Sequence, residues 1–292
     1  MLEGLAPDAP AAAAVTPTVP EFRTTVHANG ASPLAEQAVS HALAMVTAGL
    51  PPDTVNHLSN VELVVDIVPR GKEIADLPGW EMSATRKWKT GNVAVNYKDI
   101  GGVTRSRFDV LASGRQIDTI DAVSGRPPQF GLSVVSADGA PISFRGHIVV
   151  TEWAILVGLA QFLDRNPGAS PDRGARLLFG APVHEIGHFV YFATLTDEQR
   201  GSIGRLFCAR TASGGPWTSD HASHTAREYF ADGVAALFAA PEPDAVKSHY
   251  TAQWLSAHDP GLYLALRGVF PNAKQAIQTN GVRLDEPRVG PT

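Results

Sequence analysis

The sequence APVHEIGHFVYFA, residues 181–193, places three ionisable side chains inside an otherwise apolar stretch. Burying such groups is costly unless they are paired or ligate an ion. His184 and His188 are four residues apart, so on a helix they leave the same face, about 6 Å apart at Cβ. Two neutral imidazoles at this spacing can occupy two corners of a tetrahedral zinc site. Glu185 is then placed to act as general base for a metal-bound water.

The alternative is a buried helix whose histidines bond to backbone carbonyls, and a third ligand would decide between the two. The extended motif with a third histidine fails, because Tyr191 stands where glycine is required and Thr194 where that histidine would be. The remaining donors lie downstream, and they are Asp220, His221, His224, Glu228 and Asp232.

The sequence HTAREYFADGVAALF, residues 224–238, favours one of these donors. Glu228 and Asp232 are four residues apart and share one face of the helix predicted over residues 225–240. Glu228 can complete the metal site, and Asp232 can accept the spare N–H of a zinc-bound histidine. Thr225 and Glu228 also match a capping box, which would make Glu228 an ordinary helix-start residue.

Outward from these helices, the chain is mixed α/β first and nearly all-α afterwards. Alternating apolar residues predict a strand over residues 61–68, and turn residues separate further strand-like runs. Those runs cover residues 92–97, 106–112, 130–136 and 142–150. Apolar periodicity and capping residues predict helices over residues 33–48, 152–165, 196–210, 225–240, 243–257 and 260–270. The change of pattern predicts two lobes that meet at the helix over residues 183–193.

The composition excludes some classes of partner. A formal net charge of −5 without a run of Lys or Arg argues against nucleic acid and anionic membranes as partners. No apolar stretch is long enough to span a bilayer. Cys208 is the only cysteine, which excludes an intrachain disulfide, and its apolar neighbours predict a small core residue.

HEIGH followed some forty residues later by EYFAD resembles the anthrax lethal factor and Pro-Pro endopeptidase group of zinc metallopeptidases. The resemblance covers roughly residues 175–240. It implies one zinc per chain, with His184, His188 and Glu228 as ligands. It further implies that Glu185 is the base and that Asp232 is the acid in the second shell of the metal.

The resemblance also implies an α+β, zincin-like fold, with a twisted mixed sheet and helices in an upper lobe and an all-helical lower lobe. We expect an Ala/Pro-rich flexible leader over residues 1–30, one catalytic domain over residues 31–275 and a tail over residues 276–292. Within the domain, residues 31–193 form the α/β lobe and residues 194–275 the helical lobe. Secreted toxins in the group favour an exported protein.

His221 marks a departure from the group, which has a tyrosine seven residues before the ligand glutamate. That tyrosine polarises the substrate carbonyl and stabilises the oxyanion. Histidine can donate the same hydrogen bond, so the resemblance assigns this role to His221. The alternative is a solvated loop histidine.

The expected function is zinc-dependent hydrolysis of peptide bonds inside protein or peptide substrates. The alternative is a catalytically silent zinc-binding interaction domain. Cleavage within the chain is expected because Arg205, Arg210 and Arg227 are scattered and offer no obvious reader of a terminal charge. One of the strands at residues 130–136 and 142–150 is expected to form the cleft edge and to pair with the substrate backbone.

Overall fold

The computed structural model describes residues 23–52, 54, 61–81, 87–90, 93–96, 100–110, 115–118, 142–170, 174–238 and 251–280. The strands in these ranges are β1 Arg23–His27, β2 Val61–Val68, β3 Lys87–Thr90, β4 Val93–Asn96, β5 Gly102–Val110, β6 Arg115–Asp118 and β7 Ile142–Thr151. The helices are α1 Pro33–Gly49, α2 Glu152–Arg165, α3 Gly180–Ala193, α4 Asp197–Ser213, α5 Ala226–Phe238, α6 Ala252–His258, α7 Pro260–Val269 and α8 Ala273–Thr279. Short 3-10 turns cover Ile74–Asp76, Ala175–Phe179 and His221–Ser223.

Five strands form a mixed sheet in the order β1-β2-β7-β5-β6. β1, β2 and β7 are parallel, whereas β5 is antiparallel to both β7 and β6. β3 and β4 form a separate antiparallel pair. The predicted α+β class, with a mixed sheet, is confirmed.

The helix α3 lies on the sheet, and α1 packs against it. Leu63, Val65 and Ile67 alternate along β2 and are almost fully buried in the main core, which also contains α3. Gly146 of β7 allows the close approach of α3, because a Cβ atom there would lie 2.5 Å from the Phe189 ring.

Capping chemistry accounts for the helix starts that the sequence predicts. The Ser32 side chain accepts from the amide of Ala35 at the start of α1. Thr196 and Gln199 form a reciprocal capping box at the start of α4. Each side chain satisfies a backbone donor that the first helical turn leaves unpaired.

Several elements extend across boundaries expected from the sequence. Arg23–His27, within the leader expected over residues 1–30, pairs with β2 and extends the parallel ladder. The boundary between domain and tail at residues 275 and 276 falls inside α8, whose Ala273 and Ala276 are buried in the main core. α4 continues to Ser213, where Gly214 ends it in the left-handed conformation with a φ of 63°.

Further predictions concern Cys208, the segments at residues 130–136 and 243–257, and membrane crossing. Cys208 is exposed rather than buried, because it lies on α4 away from the buried Ile203. The strand predicted at residues 130–136 and the first part of the helix predicted at residues 243–257 lie outside the described residues. In the described part of the chain, no helix has both the length and the apolar character needed to cross a membrane.

Candidate metal centre

α3 presents two histidines and one glutamate to a cleft of about 500 Å³. Pro182 is the third residue of the helix, where a missing N–H costs no intrahelical bond. His184 and His188 lie one turn apart, with their Nε2 atoms 3.1 Å from each other. Glu185 is 6 % exposed and belongs to the same cleft. The three side chains of the motif therefore meet at one place.

α5 brings Glu228 to the two histidines, although it is 40 residues from His188 in the chain. Its Oε2 atom lies 3.0 Å from His188 Nε2 and 3.3 Å from His184 Nε2. The two helices approach closely because Gly187 packs on Ala231. A Cβ atom added at Gly187 would lie only 3.1 Å from the Ala231 Cα. The small residues of both helices thus permit the convergence.

The alternative, in which Glu228 is a capping-box residue, describes the hydrogen bond of its backbone amide but not the position of its side chain. The Glu228 amide donates to the Thr225 hydroxyl over 3.2 Å, as a helix-start residue would. Its carboxylate contacts the histidines instead, which a capping residue alone would not do. Thr225 therefore helps to hold the helix start, and the Glu228 side chain is available as a ligand.

Asp232 lies one turn after Glu228 and contacts the other side of His184. Its Oδ1 atom is 2.8 Å from His184 Nδ1, and its Oδ2 atom accepts from the Ser219 hydroxyl. A carboxylate accepts only, so Asp232 favours a proton on His184 Nδ1, and the Nε2 atom on the other side of the ring, which faces Glu228 and His188, is the one that can offer a lone pair to a cation. This is the arrangement in which a metal-ligating histidine is oriented by a carboxylate.

His221 belongs to the same group of donors. Its Nε2 atom lies 3.4 Å from Glu228 Oε2, and its ring stacks on that of His184 with 5.5 Å between centroids. His184, His221 and Glu228 form a group that could hold a metal ion, since their donor atoms all lie within 4.8 Å of one another. The His221 side chain keeps 46 % of its surface exposed, because it comes from the short turn before α5.

Of the other downstream donors, His224 lines the cleft and Asp220 is not among its lining residues. His224 stands beside His221 with 5.3 Å between ring centroids. Its Nδ1 atom is buried without a hydrogen-bond partner in the described part of the chain.

Two residues that position Glu185 were not predicted from the sequence. The Thr104 hydroxyl lies 2.7 Å from Glu185 Oε2 and 2.9 Å from its carbonyl oxygen, so it can donate to either. Gly102 leaves room for the carboxylate, since a Cβ there would lie 2.7 Å from Oε1. The Gly101-Gly102 pair before a strand was a usable signal of close approach. Nothing near Thr104 in the sequence marks its partner, which is 81 residues away.

The charges in the group are strongly coupled. Burial lowers the pKa of His184, but the carboxylates of Asp232 and Glu228 outweigh it and raise that pKa well above the usual value. Burial favours a raised pKa for Glu228, yet His188 and His184 lower it far below the usual value. The carboxylates and imidazoles of this group therefore stabilise one another's charged forms.

Glu185 and His221 respond mainly to burial. Burial raises the pKa of Glu185, although His184, His188 and Thr104 act in the opposite direction. Burial lowers the pKa of His221 in spite of the nearby Glu228 carboxylate. Both shifts favour the neutral form of the side chain.

β5 lines the cleft, whereas the strand at residues 142–150, one of the two that the sequence suggested, does not; the other, at residues 130–136, lies outside the described residues. β7 is paired on both sides, with β2 over residues 144–151 and with β5 over residues 142–150. Gly102, Val103 and Thr104 of β5 line the cleft. β6 pairs only with Arg107–Val110, so within the described residues no strand covers that side of β5 over residues 102–106.

Comparison with known proteins identifies no relative, since no family model, curated protein or solved structure matches the chain.

Proposed function

We propose that the protein is a zinc-dependent metalloendopeptidase. The observation that carries the proposal is the convergence of His184 Nε2, His188 Nε2 and Glu228 Oε2, with separations of 3.0, 3.1 and 3.3 Å. Zinc bonds of about 2.0–2.1 Å in a tetrahedral site require ligand separations of about 3.3 Å. The three atoms therefore fit three corners of a zinc site, and the resemblance of HEIGH and EYFAD to lethal factor-like peptidases agrees with this choice of metal.

Bound zinc supplies Lewis-acid polarisation of the scissile carbonyl and a lowered pKa for its water. Glu185 is the base, since it lines the same cleft as the two histidines and lies within hydrogen-bond distance of the Thr104 hydroxyl. It takes a proton from the attacking water while the water oxygen bonds to the carbonyl carbon. When the C–N bond breaks, Glu185 passes that proton to the leaving amine.

Two roles are open to His221, and they differ in what its Nε2 atom does. As an oxyanion donor it carries a proton on Nε2 and stabilises the negative oxygen that forms from the carbonyl. As a fourth ligand it directs a lone pair at the metal and closes the position that water needs. Its partly exposed position favours the first role, because a donor at the surface of the cleft is accessible to a substrate.

Within the described residues no strand covers one side of β5 over residues 102–106, and this supports an extended peptide as the substrate. A chain that pairs there gains affinity from its backbone, without regard to its ends. The proximity of Gly102 and Thr104 to Glu185 places such a chain next to the base. The endopeptidase assignment rests on this geometry.

Metal analysis of the purified protein tests the site. We expect one zinc per chain, and Glu228→Ala should lose most of it, because a three-ligand site cannot lose one donor without a large loss of affinity. Glu198→Ala, a change of the same kind at an exposed position on α4, should keep full occupancy. Full zinc in Glu228→Ala would contradict the ligand assignment and point to His221 or His224.

The variant Glu185→Gln distinguishes the proposed enzyme from the alternative, a catalytically silent zinc-binding interaction domain. Glutamine keeps the size of glutamate but cannot take up a proton, so zinc should stay while hydrolysis nearly vanishes. The measurement is mass spectrometry of new N-termini in a digested proteome, with peptides blocked at both ends as a second substrate. A zinc-loaded wild-type protein without cleavage would establish the interaction domain instead, and cleavage of unblocked chain ends alone would contradict the endopeptidase assignment.

A further inference from the structure

Arg227 stands beside the candidate metal centre on the wall of the cleft. It precedes Glu228 on α5, and its guanidinium carbon lies 5.7 Å from the centre of the Phe192 ring. Phe192 follows His188 by one turn of α3 and also lines the cleft. The pair therefore extends the cleft beyond the histidines, towards the end of α3.

Within the described part of the chain, no carboxylate pairs with Arg227. The three acidic side chains of the cleft are directed elsewhere, Glu228 and Asp232 towards the histidines and Glu185 towards Thr104. A half-buried guanidinium without an anion has given up part of its hydration without full compensation. It therefore favours an anion that arrives with a ligand.

Two nearby arginines show the contrast. Arg200 donates to the carbonyl oxygens of Leu195 and Tyr191. Arg210 forms an ion pair with Asp259. Both guanidinium groups are engaged in contacts within the protein, whereas that of Arg227 contacts the face of an aromatic ring and lines the cleft.

The electrostatics of the loaded centre permit an anion at this place. With all three cleft carboxylates ionised, a divalent cation leaves one net negative charge on the group, and Arg227 offsets it. The planar guanidinium matches a carboxylate with two parallel hydrogen bonds, and the Phe192 ring supports one of its faces. The ring also restricts the guanidinium, so less side-chain freedom is lost when the anion binds.

We propose that Arg227, supported by Phe192, binds a carboxylate of the substrate peptide and makes the enzyme select acidic sequences. The inference rests on the proposed function, because the peptide must lie in the same cleft. The carboxylate can come from an Asp or Glu side chain near the scissile bond or from the C-terminus of the peptide. The second source would make Arg227 a reader of a terminal charge, which the scattered arginines of the sequence did not suggest.

Binding to the inactive, zinc-loaded Glu185→Gln protein tests the proposal without turnover. The probes are octapeptides of random sequence, acetylated and amidated, with one position at a time fixed as Glu or as Gln. A second pool has a free C-terminal carboxylate. Retention of each pool on the immobilised protein is quantified by mass spectrometry, with Arg227→Gln, Arg227→Lys and Arg205→Gln added to the same background.

We expect about ten-fold higher retention of Glu over Gln at one position, or of the free over the amidated C-terminus, as for one charged hydrogen-bonded pair. Arg227→Gln should abolish this preference, and Arg227→Lys should retain part of it, since lysine lacks the planar fork. Arg205→Gln removes the same charge from an exposed position of α4 outside the cleft lining, so it should leave the preference intact.

Equal retention of every Glu and Gln pool and of both C-terminal forms would overturn the proposal, and so would a preference that survives Arg227→Gln. Cleavage of the same pools by the wild-type protein is measured separately. Cleavage without charge preference would leave the peptidase assignment standing and refute the role of Arg227. Charge-selective binding without cleavage would remove the peptidase assignment and keep the carboxylate site.

Discussion

Glu185 shows how much of the site depends on single contacts. Gly102 leaves the space for its carboxylate, and the Thr104 hydroxyl lies within hydrogen-bond distance of Oε2. A buried carboxylate without donors would rotate or stay protonated, because burial raises its pKa. The position of the base in the proposed mechanism therefore depends on β5, a strand that is distant from it in the sequence.

Thr104→Val keeps the shape of the side chain and removes the donor to Glu185. We expect kcat to fall by about ten-fold, the usual effect of losing one hydrogen bond to a charged group. Zinc content should not change, since Thr104 does not contact the ligands. Steady-state kinetics with metal analysis on the same sample is the measurement, and Thr104→Ser should restore most of the rate. An unchanged kcat in Thr104→Val would contradict the positioning role.

His221→Phe distinguishes the two roles of the histidine. If His221 donates to the oxyanion, kcat should fall by about a hundred-fold or more, with little change in KM or zinc affinity. If it is a fourth ligand, zinc affinity should fall instead, because a donor is lost. Kinetics and competition with a chelator provide the two readouts. Neither effect would be seen for a solvated loop residue.

At the scale of elements, the crossing of α3 and α5 brings the proposed ligands together. Gly187 lies between His184 and His188 in the sequence and rests on Ala231, whose neighbours on α5 include the proposed ligand Glu228. The distance between the helices therefore sets the distance between the proposed ligands. A larger residue in this contact must move a backbone, because the nearest atom is the Ala231 Cα.

Gly187→Ala should destabilise the fold by about 1 kcal/mol, since overpacking outweighs the gain in helix propensity. It should also weaken zinc binding by separating Glu228 from the histidines. Gly204→Ala on α4 is the matched control, because an added Cβ there meets nothing within 4 Å. That variant should be unchanged or more stable by up to about 1 kcal/mol. Urea unfolding compares the two, and equal effects of both substitutions would contradict the packing argument.

At the scale of the whole molecule, Asp66 ties the parallel half of the sheet together. Its carboxylate lies 3.1 Å from His27 Nδ1 of β1 and 2.6 Å from His147 Nε2 of β7, with Asn29 donating over 2.9 Å. Burial favours a raised pKa, but the hydrogen bonds of His147 and Asn29 outweigh it and lower the pKa of Asp66 to about 2. This site is distinct from the cleft and concerns stability.

Asp66→Asn should reduce the free energy of unfolding by about 1–2 kcal/mol at neutral pH. Because the pKa is lower in the folded state, the contribution is present above the unfolded value of about 3.9 and is lost as the pH falls towards 2. The difference between wild type and Asp66→Asn should therefore shrink over that range in thermal unfolding at several pH values. Asp164→Asn, at an exposed position of α2, should change stability by less than about 0.5 kcal/mol throughout. A difference independent of pH would contradict the role of the charge.

Local patterns in the sequence determined most helices and the pair of histidines, His184 and His188, that forms one half of the candidate metal centre. The Ser32 and Thr196 caps marked helix starts that the structure contains, and the spacing of His184 and His188 predicted their shared face. These predictions succeed because caps and helical periodicity act between residues three or four apart. The strand at Arg23–His27 escaped detection, since its sequence RTTVH shows little alternation and its stability comes from pairing with β2.

Only the tertiary structure decided which distant residues meet. It brought Glu228, the donor that the sequence had favoured, to the histidines, put β5 rather than β7 at the cleft, and brought Thr104 and Arg227 to the site. His188 and Glu228 are 40 positions apart in the sequence, and Thr104 and Glu185 are 81 positions apart. Their formation depends on how the sheet and the helices pack, and packing is governed by the shape of the whole core rather than by neighbours in the chain.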